Sequence, residues 1–201
     1  MNAVPMVIKK TNDGERAMDI ASRLLDDNII LLTGEINDMM AEVVIAQLLY
    51  LDSLGKKEPI HIYINSPGGT VTAGLAILDT MKLVKSEIYT YCIGLAASMG
   101  AVLLSSGDKR YIVPHAEVMI HQPLGGTKGQ ATDIEIAAKH IGRTKKILNS
   151  ILAENCNKSY DDVSQDTERD NWKSAEEALD YGLVDKIISS LNEMEDQDSS
   201  T

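Results

Sequence analysis

The sequence predicts an α/β fold in which crossover helices connect the strands of a parallel sheet. Strand-like and helix-like segments alternate along most of the chain. An uncharged stretch of 20 residues, 88–107, starts with β-branched and aromatic residues and continues as an Ala- and Leu-rich segment. This order is typical of a buried strand that leads into a helix. Hydrophobic residues make up 44% of the 201 residues, enough for one core, so we expect one domain, with or without a projecting subdomain.

Three strand–helix units are predicted in the first half of the chain. The strands are expected at residues 28–32, 59–64 and 88–93, and the helices at about 38–54, 71–84 and 101–104. Asn37 or Asp38 can cap the first helix and Gly55 can end it. The first strand reads as buried because its apolar residues are consecutive.

The chain changes character after Gln122. A glycine-rich segment, 123–130, is expected to be extended or hairpin-like, and a long helix follows over about 132–155. The apolar seam of this helix has a 4-3-4-3-4 spacing, and one lysine interrupts it. The seam residues are Ile134, Ala138, Ile141, Lys145, Leu148 and Leu152. Because a narrow seam needs a partner beyond its own sheet, we interpret this segment as a projecting handle for self-association. The alternative is a helix folded back over the sheet.

The remainder of the chain predicts a short helix, a strand and a tail. Ser174 and Glu177 form a capping box that opens the helix, and Gly182 ends it. A last strand is expected at residues 184–188. Residues 192–201 carry four acids, so we expect a disordered acidic tail.

Composition argues against several classes of protein. The formal net charge of −11 disfavours nucleic acid or an anionic membrane surface as the main partner. Residues 1–5 contain no apolar signal segment, and polar residues interrupt the 88–107 stretch, so a soluble cytoplasmic protein without a membrane span is predicted. Cys92 and Cys156 are expected to stay reduced, and they form no metal-type cluster with the histidines. We therefore predict no metal and no cofactor.

Ser98 is the strongest candidate for a nucleophile. Residues 94–100 read Gly-Leu-Ala-Ala-Ser-Met-Gly between a predicted strand and a predicted helix. Small neighbours let the backbone turn tightly enough to expose the hydroxyl, and the helix N-terminus provides the N–H of Met99 for an oxyanion. The Gly68-Gly69 turn is a candidate second donor, because glycine lets the backbone approach a substrate closely. The alternative is a helix of small residues packed closely against a neighbour.

A nucleophilic serine also needs a base and an orienting acid. His140 is expected to be solvated in the long helix, and His61 to point away from the core on its alternating strand. His121 follows the apolar strand 118–120 at the carboxyl edge where α/β folds place their sites. It is the best candidate for the base, only slightly ahead of His115. This reasoning cannot select the acid among 30 Asp and Glu residues.

A series of motifs along the chain resembles a known family. In order, the motifs are Asn65-Ser-Pro-Gly-Gly69, Thr72-Ala-Gly74, Asp79-Thr-Met81, Ala96-Ala-Ser-Met-Gly100, Met119-Ile-His-Gln-Pro-Leu-Gly-Gly126, Gly129-Gln-Ala-Thr-Asp-Ile-Glu-Ile136, Asp166-Thr-Glu-Arg-Asp170 and Tyr181-Gly-Leu-Val-Asp185. Together they are similar to the proteolytic subunit of the Clp protease. The resemblance covers about residues 4–188.

The resemblance implies a fold and a division of the chain. The fold is the crotonase-like spiral of repeated β-β-α units, with a projecting handle made of a strand and a long helix. The implied segments are an axial gate at 1–18, a head at 19–122, the handle at 123–156, the completion of the head at 157–191 and the acidic tail at 192–201.

The resemblance also implies a serine endopeptidase. Its triad falls on Ser98, His121 and Asp170, and its oxyanion donors fall on the backbone of Gly69 and Met99. The substrate would add as a strand beside Leu124, Gly125 and Gly126, which would read its backbone and give broad specificity.

Partners follow from the same resemblance. Two stacked heptameric rings, a tetradecamer, would enclose a chamber in which unfolded proteins are cut to short peptides, with ring–ring contacts at Gln130, Asp133 and Arg169. A hexameric AAA+ unfoldase would use ATP and feed the chamber, because this chain shows no P-loop. The implied unfoldase-docking groove consists of His61, Tyr63, Leu83, Tyr91, Tyr111, Val113 and Ile188.

The chain departs from the family pattern at a few positions. His61 and Leu83 stand where the family usually has aromatic residues, and the turn at 107–110 is about two residues short. These departures predict weaker or altered unfoldase docking, as in a second paralogue that forms mixed rings. The competing interpretations are a catalytically silent ring subunit and a crotonase-type acyl-CoA enzyme.

Overall fold

The computed structural model describes residues 5–11 and 14–193. Within them the strands are β1 (Met6–Thr11), β2 (Gly14–Asp19), β3 (Ile29–Thr33), β4 (Ile60–Ser66), β5 (Ile88–Ala97), β6 (Lys109–Ile112), β7 (Glu117–Ile120), β8 (Asn171–Lys173) and β9 (Lys186–Ile187). The helices are α1 (Ile20–Asp26), α2 (Asp38–Ser53), α3 (Val71–Leu83), α4 (Met99–Ser105), α5 (Ala131–Asn155), α6 (Tyr160–Asp166) and α7 (Ala175–Tyr181). The predicted alternation of strands and helices is confirmed.

The main sheet has seven strands, and its pairings are parallel except for the one between β7 and β8. Five strands lie in the order β3-β4-β5-β6-β9, while β7 pairs with the end of β5 and with β8. The α/β fold with a mostly parallel sheet is therefore confirmed. The last strand is shorter than predicted, because only Lys186 and Ile187 pair with β6.

β5 changes its neighbour along its length. Its first part, up to Cys92, pairs with β6, whereas Leu95 to Ala97 pair with β7. Gly94 lies between the two parts with φ +85°, a conformation that residues other than glycine rarely adopt. This change of direction brings the end of β5 beside the end of β7.

The core lies between the sheet and the helices, and it is built without phenylalanine. On β4 the residues Ile60, Ile62 and Ile64 are buried in this core, and the intervening residues face the other side of the sheet. The strand predicted as buried at 28–32 is buried on one face only. Ile30 and Leu32 are fully buried, whereas Leu31, which points to the opposite face of the sheet, is 48% exposed.

The buried residues of the long helix α5 all lie in its second half. Leu148 and Leu152 are buried, whereas Ile134 is 46% exposed and Ile136 is 61% exposed. The beginning of the apolar seam, at Ile134 and Ala138, therefore faces solvent in the single chain.

Two ends of the chain fall partly outside the described residues. In the segment predicted as an axial gate, β1 and β2 form an antiparallel hairpin from Met6 to Asp19, while residues 1–4 and 12–13 lie outside the description. In the predicted acidic tail, Asn192 and Glu193 belong to a short 3-10 turn, and residues 194–201 lie outside the description. In the part of the chain that is described, no helix is long and apolar enough to cross a membrane.

Arg110 links three parts of the fold near the end of α5. Its guanidinium donates to the carboxylate of Asp185 and to the carbonyl oxygens of Asn155 and Gly182, both at 2.8 Å. The side chain is only 15% exposed. Removing it would leave both carbonyls without their donor.

We expect Arg110→Met to lower the free energy of unfolding by about 2–3 kcal/mol, because charge-assisted hydrogen bonds to partly buried acceptors are lost. Arg16→Met, at an exposed position in β2, should change it by less than about 0.5 kcal/mol. Urea unfolding of both variants measures the difference. Equal stabilities would contradict the assigned role of Arg110.

Candidate active site

Ser98 lies at the turn between β5 and α4 in a strained conformation. Its φ and ψ are 54° and −119°, and its side chain makes no capping hydrogen bond to the helix. Its N–H donates to the carbonyl of Met119 at 2.8 Å, which fixes the turn to β7. A non-glycine residue with positive φ costs about 1–3 kcal/mol and is held only by its surroundings. The turn therefore presents the hydroxyl in the manner expected of a nucleophile.

His121 connects Ser98 to Asp170. Its Nε2 lies 2.9 Å from Ser98 Oγ, and its Nδ1 lies 3.0 Å from Asp170 Oδ1. Because a carboxylate only accepts, Nδ1 carries the proton and donates to Asp170, which leaves Nε2 to accept from the serine hydroxyl. The side chain of His121 is 12% exposed and that of Asp170 is 61% exposed. The imidazole is thus shielded while the carboxylate faces solvent.

The antiparallel pairing of β7 with β8 brings the base and the acid together. Ile120 pairs with Asn171, so the residues next to them, His121 and Asp170, lie side by side across the ladder. Of the other histidines, His115 and His140 are exposed and do not line the pocket beside Ser98, and His61 lies in an aromatic cluster. The positions of His121 and Asp170 along the sequence do not reveal that they meet. Only the register of β7 against β8 places them side by side.

Gly68 and Gly69 hold the backbone against the serine turn. A parallel bridge to Ile36 uses the Gly68 carbonyl and the Thr70 N–H, so the N–H of Gly69 takes no part in it. Gly69 lines the same pocket as Ser98 and Met99. A Cβ on Gly69 would lie 2.1 Å from the Ile36 oxygen, and one on Gly68 would lie 2.7 Å from Ser98 Cβ. No larger residue fits at either position.

An apolar pocket of about 200 Å³ adjoins Ser98 and His121. Its walls come from four elements and from the segment after His121, and include Val71, Val102, Ile120, Leu124, Leu148 and Leu152. The second half of α5 thus contributes to the site as well as to the core. Apart from Leu124, sequence reasoning missed these wall residues, because on a helix or strand they are indistinguishable from core residues.

A protein-family model described as Clp protease matches residues 12–191 of the chain. The chain belongs to the Clp protease family. It is therefore a Clp-type peptidase, and the mixed α/β fold agrees with this assignment. The match covers the serine turn, the segment after β7 and the segment before β8.

The residues that the Clp resemblance implies for substrate binding and ring–ring contact lie at the surface of the single chain. Leu124 is 86% exposed in a segment that is neither helix nor strand, and Gly125 lies so close to Ile141 that a Cβ would come within 2.7 Å of it. Gly126 has open space around its Cα. Gln130, Asp133 and Arg169 are all exposed, the first two at the start of α5 and the third next to Asp170.

Most residues of the implied docking groove form one aromatic cluster. Tyr91 stacks between Tyr63 and Tyr111, with ring centroids at 4.5 Å and 5.0 Å, and Ile188 packs against them. His61 Nδ1 lies 2.7 Å from Tyr91 Oη. A small cavity here is lined by Tyr63, Tyr91, Tyr111, Val113, Ile188 and Leu191, among others. Leu83 is 75% exposed at the end of α3 and is not among the lining residues, whereas Leu191 was not anticipated.

Among the described residues, no group of three His, Cys, Asp or Glu side chains could hold a metal ion. Both cysteines are buried free thiols, and burial raises the pKa of Cys156 to about 11 and that of Cys92 to about 12. Neither thiol is therefore ionised near neutral pH.

We expect Gly68→Ala to lower the free energy of unfolding by more than about 2 kcal/mol, since φ is +90° and the new Cβ meets Ala97 O and Ser98 Cβ at 2.7 Å. Gly126→Ala is the matched control, because nothing lies within 4 Å of its Cβ position. It should change stability by less than about 1 kcal/mol. Chemical denaturation of both variants tests this, and a tolerated Gly68→Ala would contradict the close approach.

Burial lowers the pKa of His61 below its usual 6.5. The unfolded chain then binds more protons than the folded chain once the pH falls below 6.5, so the contribution of His61 makes stability fall in that direction. We expect the melting temperature of His61→Gln to fall less between about pH 7.5 and about pH 5.5 than that of the wild type. Glutamine does not titrate, and its amide can still bond the Tyr91 hydroxyl.

His115→Gln is the control for this pH dependence, because His115 is exposed in a turn. Its melting curve against pH should match that of the wild type. If the melting temperatures of the wild type, His61→Gln and His115→Gln changed equally with pH, the surroundings of His61 would not disfavour the charged imidazole.

Proposed function

We propose that the protein is a serine endopeptidase that cuts unfolded polypeptides to short peptides. The observation that carries the proposal is the hydrogen-bonded chain from Ser98 through His121 to Asp170, with separations of 2.9 Å and 3.0 Å, at a strained strand-to-helix turn. The Clp family membership supports the same chemistry.

The geometry supports a two-step acyl transfer. Ser98 Oγ attacks the carbonyl carbon of the peptide while His121 Nε2 takes the hydroxyl proton, which it then gives to the departing amine. Asp170 accepts the Nδ1–H bond, keeps the imidazole in the correct tautomer and stabilises its charged form. Water, activated by His121 in turn, hydrolyses the acyl-enzyme and restores the serine.

Two backbone N–H groups are the proposed oxyanion donors. The N–H of Met99 is at the first residue of α4, where no preceding turn of helix provides an acceptor. The N–H of Gly69 is left out of the bridge to Ile36 and lies in the same pocket wall. Donors of this kind stabilise the charge that develops on the carbonyl oxygen.

The substrate would lie extended beside the segment 124–126, paired through its backbone, as when a strand is added to a sheet edge. The apolar pocket of about 200 Å³ next to Ser98 fits an apolar side chain of moderate size on the acyl side of the cut. Pairing through the backbone would allow many substrate sequences, and the pocket would favour an apolar residue before the cut.

Assembly is the second part of the proposal. Family members form multimeric proteases that work with AAA+ unfoldases, and we infer that this chain forms two stacked heptameric rings around a chamber. The exposed apolar residues Ile134 and Ile136 on the first half of α5 support a ring–ring contact there. The aromatic cluster around Tyr91 supports docking of a hexameric unfoldase, with His61 altering its strength. ATP would be used by the unfoldase, and this chain would need no cofactor.

Covalent labelling tests the catalytic proposal. A fluorophosphonate should add once per chain to the wild type, as read by intact mass, and should not add to Ser98→Ala. Ser53→Ala, which removes an exposed hydroxyl on α2, should label like the wild type. Short peptides with an apolar residue before the cut should be hydrolysed at least about tenfold faster than those with an acidic residue.

Two outcomes would contradict the proposal. An adduct that persists in Ser98→Ala would place the nucleophile elsewhere. The absence of any adduct or hydrolysis in the assembled protein would favour a catalytically silent ring subunit, and turnover of an acyl-CoA would favour a crotonase-type enzyme.

A further inference from the structure

Ser66, the last residue of β4, carries a fully buried hydroxyl that takes no part in the proposed proton transfer. Its Oγ donates to the carbonyl of Gly34 at 2.6 Å and accepts from the N–H of Gly68 at 3.1 Å. Because a hydroxyl has only one proton, its donor capacity is used by Gly34. Ser66 therefore bridges the turn after β3 and the glycine turn after β4.

The glycine turn depends on hydrogen bonds for its shape. Gly68 and Gly69 have φ of +90° and +152°, where glycine has a wide choice of conformations. Gly68 O accepts from the N–H of Ile36 at 2.8 Å, and Ile36 O accepts from the N–H of Thr70 at 2.8 Å. The hydroxyl of Ser66 adds the bond to Gly68 N–H. This bond is made at the residue directly before Gly69, the proposed oxyanion donor.

Ser66 also lies against the first turn of α4. A Cβ on Gly100 would come 3.2 Å from Ser66 O and 3.5 Å from Ser66 Cβ, so the helix packs directly on this serine. Gly100 follows Met99, whose N–H is the other proposed donor. On β5, Ser66 pairs with Ala96, two residues before Ser98. One buried residue thus contacts both segments that carry the donors.

The two donor segments approach each other closely beside Ser66. A Cβ on Gly68 would lie 3.1 Å from Met99 N and 2.7 Å from Ser98 Cβ. Both N–H groups must point at one oxygen, and each should lie about 2.7–3.1 Å from it. A shift of the glycine turn changes one of these two distances and leaves the other unchanged. Losing one donor altogether costs about 100- to 1,000-fold in kcat.

We propose that Ser66 is a positioning residue that sets the distance between the two oxyanion donors, the N–H groups of Gly69 and Met99. The proposal rests on the peptidase function proposed above. Without the hydroxyl, the buried N–H of Gly68 has no partner, and the turn shifts to find another one. The N–H of Gly69 moves with the turn, away from the charge that develops on the carbonyl oxygen.

The alternative is a hydroxyl that only stabilises the fold, as buried hydrogen-bonded serines commonly do. The contact of Ser66 with both donor segments favours the positioning role. Ser105, at the far end of α4, is a matched residue without such contacts. Its hydroxyl is also buried, donates to Val102 O at 2.9 Å and accepts from the side-chain amide of Asn155 at 3.1 Å.

The experiment compares Ser66→Ala with Ser105→Ala in the full-length assembled protein. Each variant loses one buried hydroxyl and two hydrogen bonds, but only Ser66 lies beside the donors. With a short fluorogenic peptide, Ser66→Ala should lower kcat at least about tenfold with KM unchanged within about twofold, because an interaction made in the transition state is weakened. Ser105→Ala should keep kcat within about twofold of the wild type.

Two further readouts separate the oxyanion donors from the triad. The pH dependence of kcat/KM reports the essential base of the free enzyme, and its midpoint should agree within about 0.3 between Ser66→Ala and the wild type. A peptide boronate forms a tetrahedral adduct with the nucleophile and so resembles the transition state. It should bind at least about fivefold more weakly to Ser66→Ala than to the wild type or Ser105→Ala.

Hydrogen exchange gives a readout that does not depend on activity. The amides of Ile36, Gly68 and Thr70 should exchange faster in Ser66→Ala than in Ser105→Ala, because the hydrogen bonds of these amides hold the glycine turn. This comparison holds even if the wild type hydrolyses no peptide. A failed peptidase proposal and a failed anchoring of the turn therefore remain distinguishable.

Ser66→Cys keeps the test decisive if Ser66→Ala does not assemble. A thiol is only slightly larger than a hydroxyl but is a weak donor and a weak acceptor, so kcat should fall at least about threefold at unchanged KM. Equal kcat for the Ser66 and Ser105 variants would overturn the proposal. A rise in KM at unchanged kcat, a shifted pH midpoint or undiminished boronate binding would do the same. Unchanged exchange at Gly68 and Thr70 would overturn the anchoring itself.

Discussion

The change of neighbour along β5 is the constraint on which the rest of the structure depends. Up to Cys92 the strand pairs with β6, and from Leu95 it pairs with β7. Adjacent strands lie about 4.8 Å apart, so the residue that ends β5 and the residue that ends β7 come within reach of each other only through this second pairing. Ser98 and His121 directly follow those two residues, and Gly94 supplies the left-handed backbone conformation that makes the change possible.

The serine side of the site is rigid, and the acid side is open. Ser98 is fixed by a main-chain bond to Met119, by Gly68 at its back and by its place at the start of a fully buried helix. Asp170 instead lies in an exposed segment that is fixed through the β7–β8 ladder and through the side-chain amide of Gln122, which donates to Glu168 O. A strained turn held by a packed core suits a group that must not move, whereas an exposed acid depends on the elements around it.

Two apolar regions of the single chain differ in how far they are exposed. One is the first half of α5, where Ile134 and Ile136 are exposed, and the other is the aromatic cluster, in which Tyr91 stacks between Tyr63 and Tyr111 and is almost fully buried. The two regions lie on different elements. The second half of α5 lines the pocket beside Ser98, whereas Tyr91 and Tyr111 lie on strands β5 and β6.

The sequence by itself determined the local features of this protein. The strand–turn–helix at Ser98, the capping box at Ser174 and the length of α5 follow from spacing, caps and glycines within a few residues of each feature. The motifs also carried the family resemblance that placed Asp170. Only the tertiary structure decided which residues meet, because the register of β7 against β8 joins positions 49 apart along the chain and no local pattern encodes that pairing. The same holds for the half-exposed Leu31 and for Ser66, whose roles depend on what lies across from them rather than on their neighbours in sequence.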